Sequence, residues 1–322
     1  MSTTKDFYCI YTGKSCPEDE RSDEHIIPYS LGGSNQLVVR DVSRKGNNDA
    51  GSSADALLIN SWFISQERWR LKLKSKNGVI PPIEFEGTID VNGRTVKATY
   101  SIDHNSRIEL VTIPEVDCNW TTGKINVNCD PKQLNEILMN ISKKATKKGL
   151  TLSKDQLKSQ TGEVIRIENP EMKMQLTFDT LAFVPGFLKM ALATGHRLLG
   201  YKWSQSTEAD LIRNAIWEKD RNKLINYKIP GSVWPNSQFA AKDIFNVGKD
   251  KHVLAISNTG PLVFYAKLFG EFDGLIRLSE SVWNGPEINI GDFHIIVADA
   301  TSRKIVEYSF GEFLILKNAG RL

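Results

Sequence analysis

The chain is poor in cysteine, with only Cys9, Cys16, Cys118 and Cys129 among its 322 residues. Their spacing is irregular and a chain of this length builds a core without covalent staples, so reduced thiols and a cytoplasmic address are expected. Long apolar runs are lacking as well. No stretch approaches the roughly 20 residues of a membrane span, and Met1 to Lys14 has no hydrophobic segment of a secretory signal, so neither membrane contact nor secretion is expected. A strong charge of either sign is absent: 41 Lys and Arg against 38 Asp and Glu leave +3, which permits contact with a polyanion without demanding it. No repeat of fixed period and no low-complexity tract occurs, which excludes solenoids and compositional tails.

What is there is an ordinary globular composition, 40% hydrophobic and 25% charged, at a length that suggests about two domains. Residues 5–12 and 36–42 read as short strands around the Gly/Ser-rich loop Leu31-Gly32-Gly33-Ser34-Asn35. A helix is expected to begin near Asn47, with Ala54, Leu57, Leu58, Trp62 and Phe63 at helical spacing. These close a β-loop-β-α unit, placed at residues 1–76. After a linker at Lys76 to Pro82, Ile83 to Thr112 alternates as an antiparallel hairpin sheet turning at Asn92-Gly93. Pro131 to Lys148 reads as a lysine-rich amphipathic helix, 180–200 and Thr207 to Asn222 as two more, and 252–257, 262–269, 273–279, 293–299 and 304–310 as strands. The fold class is therefore α+β, with 83–322 forming a specificity, sensing or oligomerisation region of one domain or two.

One stretch speaks about chemistry. Ser22-Asp23-Glu24-His25-Ile26-Ile27-Pro28, followed by Asn35 and by Gly46-Asn47-Asn48, spaces an acid, a base and amides as a metal-dependent nuclease does. Hydrolysis of a phosphodiester needs a hard cation on the phosphate and a base for water. Glu24 offers one oxygen ligand, Asn47 a second, and His25 the base. Neighbours on a strand point to opposite sides, so Glu24 and His25 can address one site only if the strand ends there. Pro28 and Gly32-Gly33 supply such an end.

Cys9-Ile10-Tyr11-Thr12-Gly13, then Asp23-Glu24-His25-Ile26-Ile27-Pro28, Ser30-Leu31-Gly32-Gly33 and Ser43-Arg44-Lys45-Gly46-Asn47 together resemble an HNH endonuclease of the group with an E-H-I-I-P-x-S-L-G-G core. The resemblance is dense over residues 9–48 and weak beyond. It implies a ββα-metal module in which His25 is the general base, Asn35 holds the histidine, and Glu24 and Asn47 bind one Mg²⁺ or Mn²⁺. Asp23 and Asn48 are the alternatives for Glu24 and Asn47. It further implies cleavage of double-stranded DNA to 5′-phosphate and 3′-hydroxyl ends, a role in restriction or defence, and a homodimer if both strands are cut. Members close a zinc knuckle with two C-x-x-C pairs. Here those places hold Cys9, Thr12, Ser43 and Gly46, so no structural zinc is expected; either packing against the larger C-terminal part holds the module or the module is decaying, and retention of Glu24, His25, Asn35 and Asn47 favours the first.

Two basic stretches accompany the motif. Arg68, Arg70, Lys72 and Lys74 follow the helix that carries Asn47 and are candidates for nucleic-acid contact. Lys143, Lys144, Lys147 and Lys148 share one helix at i, i+4 spacing, where like charges repel unless an anion or a carboxylate stands near. His104, His196, His252 and His294 fall on separate elements and read as structural.

Overall fold

The computed structural model describes residues 6–122, 124–150, 164, 171–174, 180–227, 229, 231–235 and 241–322. Strand β1 (Asp6–Cys9) pairs antiparallel with β2 (Lys14–Pro17), and β3 (Arg21–His25) with β4 (Val38–Ser43). The strand expected over 5–12 therefore pairs with a strand not foreseen, and the partner of β4 is β3. The chain enters helix α1 (Arg44–Ala50) directly from β4, because Ser43 is a good N-cap and its hydroxyl accepts from the Gly46 N–H at 3.1 Å. The start lies three residues before Asn47. One π turn over Gly51–Asp55 joins α1 to α2 (Ala56–Ile59), and α3 (Trp62–Arg70) is a separate helix beyond Asn60.

The chain divides into two compact units, residues 1–81 with 178–322, and residues 82–177. The second unit contains β5 (Ile83–Val91), β6 (Arg94–Ile102) and β7 (Ile108–Thr112), the hairpin β8 (Glu115–Asn119) and β9 (Lys124–Asn128), helix α4 (Leu134–Lys147) and β10 (Met172–Met174). Its sheet order is β10-β5-β6-β7, all antiparallel, with Asn92 and Gly93 both left-handed at the β5–β6 turn. Gly123, the apex expected between Cys118 and Cys129, lies outside the described residues, and the four cysteines are free thiols.

The first unit continues with α5 (Val184–Ser204), kinked at Gly200, α6 (Thr207–Ile216), β11 (Gly231–Pro235) and α7 (Ala241–Ile244). Strands β12 (Lys251–Ser257), β13 (Val263–Leu268), β14 (Phe272–Arg277), β15 (Phe293–Asp299) and β16 (Ile305–Ser309) complete an antiparallel sheet in the order β11-β14-β13-β12-β15-β16. Helix α8 (Phe310–Asn318) opens on Ser309 and Glu312 in a capping box. The sheet is buried on both faces. Val253, Ala255 and Ile295 pack with Phe313 of α8, while Leu254, Ile256 and Ile296 join the main core.

That main core also holds Phe7, Ile10, Tyr11, Ile26, Leu31 and Val42 from the first 50 residues and Phe187, Met190 and Leu192 of α5. The expected division at 1–76 and 83–322 is accordingly redrawn. A small β-loop-β-α unit cannot bury both its faces alone, and here it shares one core with residues 178–322. Among the described residues no helix is long and apolar enough to cross a membrane.

Polar ties follow the same seam. Arg213 of α6 donates from Nε to the Ile10 carbonyl at 2.6 Å and Trp217 from Nε1 to that of Tyr11 at 2.8 Å. His196 of α5 bonds Asp41 of β4 at 2.9 Å, and buried His252 of β12 donates from Nε2 to the Leu31 carbonyl at 2.8 Å. Each satisfies a backbone or carboxylate oxygen that the short module could not satisfy from within.

Candidate functional site

His25 is the last residue of β3, paired with Val38 of β4, and the segment between them forms a tight loop. Gly32 sits there at φ +90, and a Cβ on it would lie 2.2 Å from the Ala300 carbonyl oxygen; on Gly33 it would lie 1.9 Å from that of Ile27. The Gly-Gly pair is thus required by close approach of backbone. Arg303, from the β15–β16 turn, donates from Nη1 to the Tyr29 and Gly33 carbonyls at 2.8 and 3.0 Å and stacks 3.7 Å over the Tyr29 ring. The loop is held from outside the motif.

Within it, His25 Nε2 meets Asn35 Oδ1 at 2.9 Å. An amide oxygen only accepts, so Nε2 carries the proton and Nδ1 of the neutral ring is left as an acceptor. Burial lowers the His25 pKa, the Asn35 bond acts against it, and the cations of Lys76, Lys189 and Arg303 lower it further. The ring stands edge-on to Tyr29, centroids 5.5 Å apart. A neutral, fixed imidazole with one free nitrogen is a competent proton acceptor at pH 7.

Glu24 goes elsewhere. It is buried at 6% exposure and ion-paired with Lys189 of α5, whose ammonium also bonds Asp55 at 2.6 Å. Burial raises both carboxylates, Lys189 opposes it at each, and Asp55 raises Glu24 further. For Lys189 burial works downward, but Asp55 and Glu24 outweigh it and hold the ammonium above its ordinary value. Asp55 Oδ1 and the Tyr11 hydroxyl are buried with no hydrogen-bond partner. Asp55 closes the π turn, a distortion often found where a helix is shaped around a functional group.

The fit of a divalent ion follows from these contacts. A dication at Glu24 would share the carboxylate with a buried ammonium and be repelled by it, so Glu24 as arranged does not suit a metal. Asp23 does better: its side chain is 61% exposed and, among the described residues, is paired with exposed Arg40 at 3.3 Å. Asn47 of α1 lies beside it, donating from Nδ2 to the Asp23 carbonyl and the Ser22 hydroxyl, both at 3.0 Å, which leaves the amide oxygen for a cation. Asn48 is exposed. Among the described residues no three His, Cys, Asp or Glu side chains converge as a metal cluster.

The four places expected to hold a vestigial knuckle do come together. The Ser43 N–H donates to Cys9 Sγ at 3.3 Å, and a Cβ on Gly46 would lie 3.1 Å from Ser43 Oγ, 3.2 Å from Cys9 Sγ and 3.3 Å from Thr12 Cγ2. One thiol and two hydroxyls do not make a tetrahedral zinc site. Burial raises the Cys9 thiol pKa, but bonds from Ser43 and Thr12 outweigh it and leave the value lowered.

Comparison with protein-family models, with curated proteins and with solved structures finds no match to this chain.

Of the four candidate nucleic-acid contacts, Arg68 is turned inward, which corrects that expectation for it, while Arg70, Lys72 and Lys74 stand exposed. Arg68 is buried, donates from Nε to the Ser30 carbonyl at 3.0 Å, and has its pKa lowered by burial. Arg70 holds Glu67 at 2.6 Å and the Lys249 carbonyl at 2.6 Å. Sequence reasoning missed Lys189, Asp55 and Arg303. Lys189 is a lone cation on an otherwise apolar helix face, and that was a readable signal of a buried ion pair; Arg303 left none.

Proposed function

We propose that this chain is a metal-dependent endonuclease of the HNH type that hydrolyses DNA phosphodiester bonds, acting in the cytoplasm in restriction or anti-phage defence. The observation that carries the reading is His25: a neutral base at a strand end, fixed through Nε2 by Asn35, in a strand-loop-strand-helix unit with Asn47 on the helix. The meeting of Cys9, Thr12, Ser43 and Gly46 at one point agrees with the reading, because these are the positions that the resemblance assigns to the knuckle.

His25 Nδ1 would take a proton from water as the water oxygen bonds to phosphorus, and Asn35 Oδ1 would steady the imidazolium through its Nε2–H. The bond to the 3′ oxygen breaks, that oxygen takes a proton from solvent, and the ends are 5′-phosphate and 3′-hydroxyl. A bound Mg²⁺ or Mn²⁺, held by Asp23 and Asn47, would supply positive charge to the phosphate. Cutting both strands calls for two such sites and hence a homodimer.

The test is plasmid nicking with Mg²⁺ or Mn²⁺. His25→Ala should lose roughly 10²- to 10⁴-fold in rate, and equal nicking before and after the change removes His25 as the base. One observation favours a second reading, a nucleic-acid- or signal-binding protein with an inactive module: Glu24 is neutralised by Lys189. Absence of nicking by the unaltered protein with either ion decides for it.

A further inference from the structure

The C-terminal end of helix α4 carries a lysine ridge that meets no carboxylate among the described residues. Leu138, Ile141 and Ala145 bury one side of the helix, and Lys143, Lys144, Lys147 and Lys148 stand exposed. None of the four meets a carboxylate among the described residues, although Lys132, just before the helix, does reach Glu109 at 3.4 Å. A helix C-terminus favours cations, which accounts for one or two of them. It does not account for two i, i+4 pairs, Lys143 with Lys147 and Lys144 with Lys148, each of which repels. Four ammonium groups within six residues, with no carboxylate partner among the described residues, make a surface suited to a polyanion.

We propose that this ridge is a contact for the phosphate backbone of double-stranded DNA, carried by residues 82–177 apart from the unit that holds His25. It rests on the nuclease reading for the identity of the polyanion. The aromatic beside the ridge, Trp120, has Lys148 Nζ 5.7 Å above its ring, so its face is not an open platform for an unpaired base, as single-strand binding would use. Lysines on phosphates position a duplex without reading its sequence.

The full chain in EDTA, where binding is read apart from cleavage, is titrated with a 30-base-pair duplex by fluorescence anisotropy from 50 to 200 mM salt. Neutralising four phosphates contributes about 3.6 to the slope of log affinity against log salt, or roughly a 10²-fold loss across that range. The quadruple change K143Q/K144Q/K147Q/K148Q should flatten the slope by about 3 to 4, with circular dichroism unchanged. The corresponding four arginine substitutions should keep the slope. An unchanged slope, no duplex binding by the unaltered protein, or tighter and equally lysine-dependent binding of a single strand overturns the proposal. Ridge-dependent duplex binding without plasmid nicking would overturn the nuclease reading alone, and nicking without ridge-dependent binding the ridge alone.

Discussion

Replacing Lys189 by Met keeps nearly the same volume but leaves two buried carboxylates with no cation. Lys189 is fully buried, Glu24 is 6% and Asp55 9% exposed, so solvent screening gives little relief. Removing one member of a buried ionic group costs about 3–5 kcal/mol. For a unit of this size that is a drop of about 6–20 °C in the unfolding midpoint. The deficit should depend on pH in a definite direction. Glu24 and Asp55 already have raised pKa values with Lys189 in place, and without it they rise further. A carboxyl whose folded pKa is raised favours folding only while neutral, so stability is lost as pH rises through that folded pKa. K189M should therefore lie closest to the unaltered protein near pH 5 and furthest below it near pH 8. Thermal unfolding of both proteins over that range measures it, and the triple change E24Q/D55N/K189M, which removes all three charges, should recover most of the loss. A deficit under about 1 kcal/mol at every pH, or one that is the same at pH 5 and pH 8, would refute the reasoning.

His252 provides a second pH signature. Burial pulls its pKa down to about 4, so the folded state holds it neutral while the unfolded chain takes up a proton below about 6.5; between those values the protein should lose roughly 3 kcal/mol, and H252Q should lack that portion of the acid profile in urea titrations at pH 7 and pH 4. Asn35→Ala should lower nicking by about ten- to hundred-fold, as loss of an orienting partner does. Because the Asn35 bond works to raise the His25 pKa, the acid limb of its rate profile should move to lower pH; an unmoved limb would separate Asn35 from the base. Gly33→Ala, with its new carbon 1.9 Å from the Ile27 carbonyl oxygen, should cost at least about 3 kcal/mol in urea unfolding and abolish nicking together.

Local rules carried much of the fold. Strands β12 to β16 fall within a residue or two of the runs read from alternation, and the Asn92-Gly93 turn stands between β5 and β6. Strand β3 was not legible from propensity, and only the reading of Glu24 and His25 at a strand end pointed to it. Arg21-Ser22-Asp23-Glu24-His25 has almost no β-propensity, and it is a strand because β4 pairs with it and the core buries Glu24 from one side. The fate of Arg68 was equally hidden. At a helix end it reads as a free cation, and only the Ser30 carbonyl brought beside it by the loop makes it a buried donor.

By itself the sequence determined an α+β chain, the strand-loop-helix order around His25 and the Asn35 within reach of it, because these depend on residue type and short spacing. Tertiary structure alone decided that residues 178–322 complete the core around the first 50 residues, that Lys189 claims Glu24, and that Asp23 stays exposed with Asn47 beside it. Those outcomes join residues more than a hundred positions apart, and no local periodicity encodes which buried charge will find which partner.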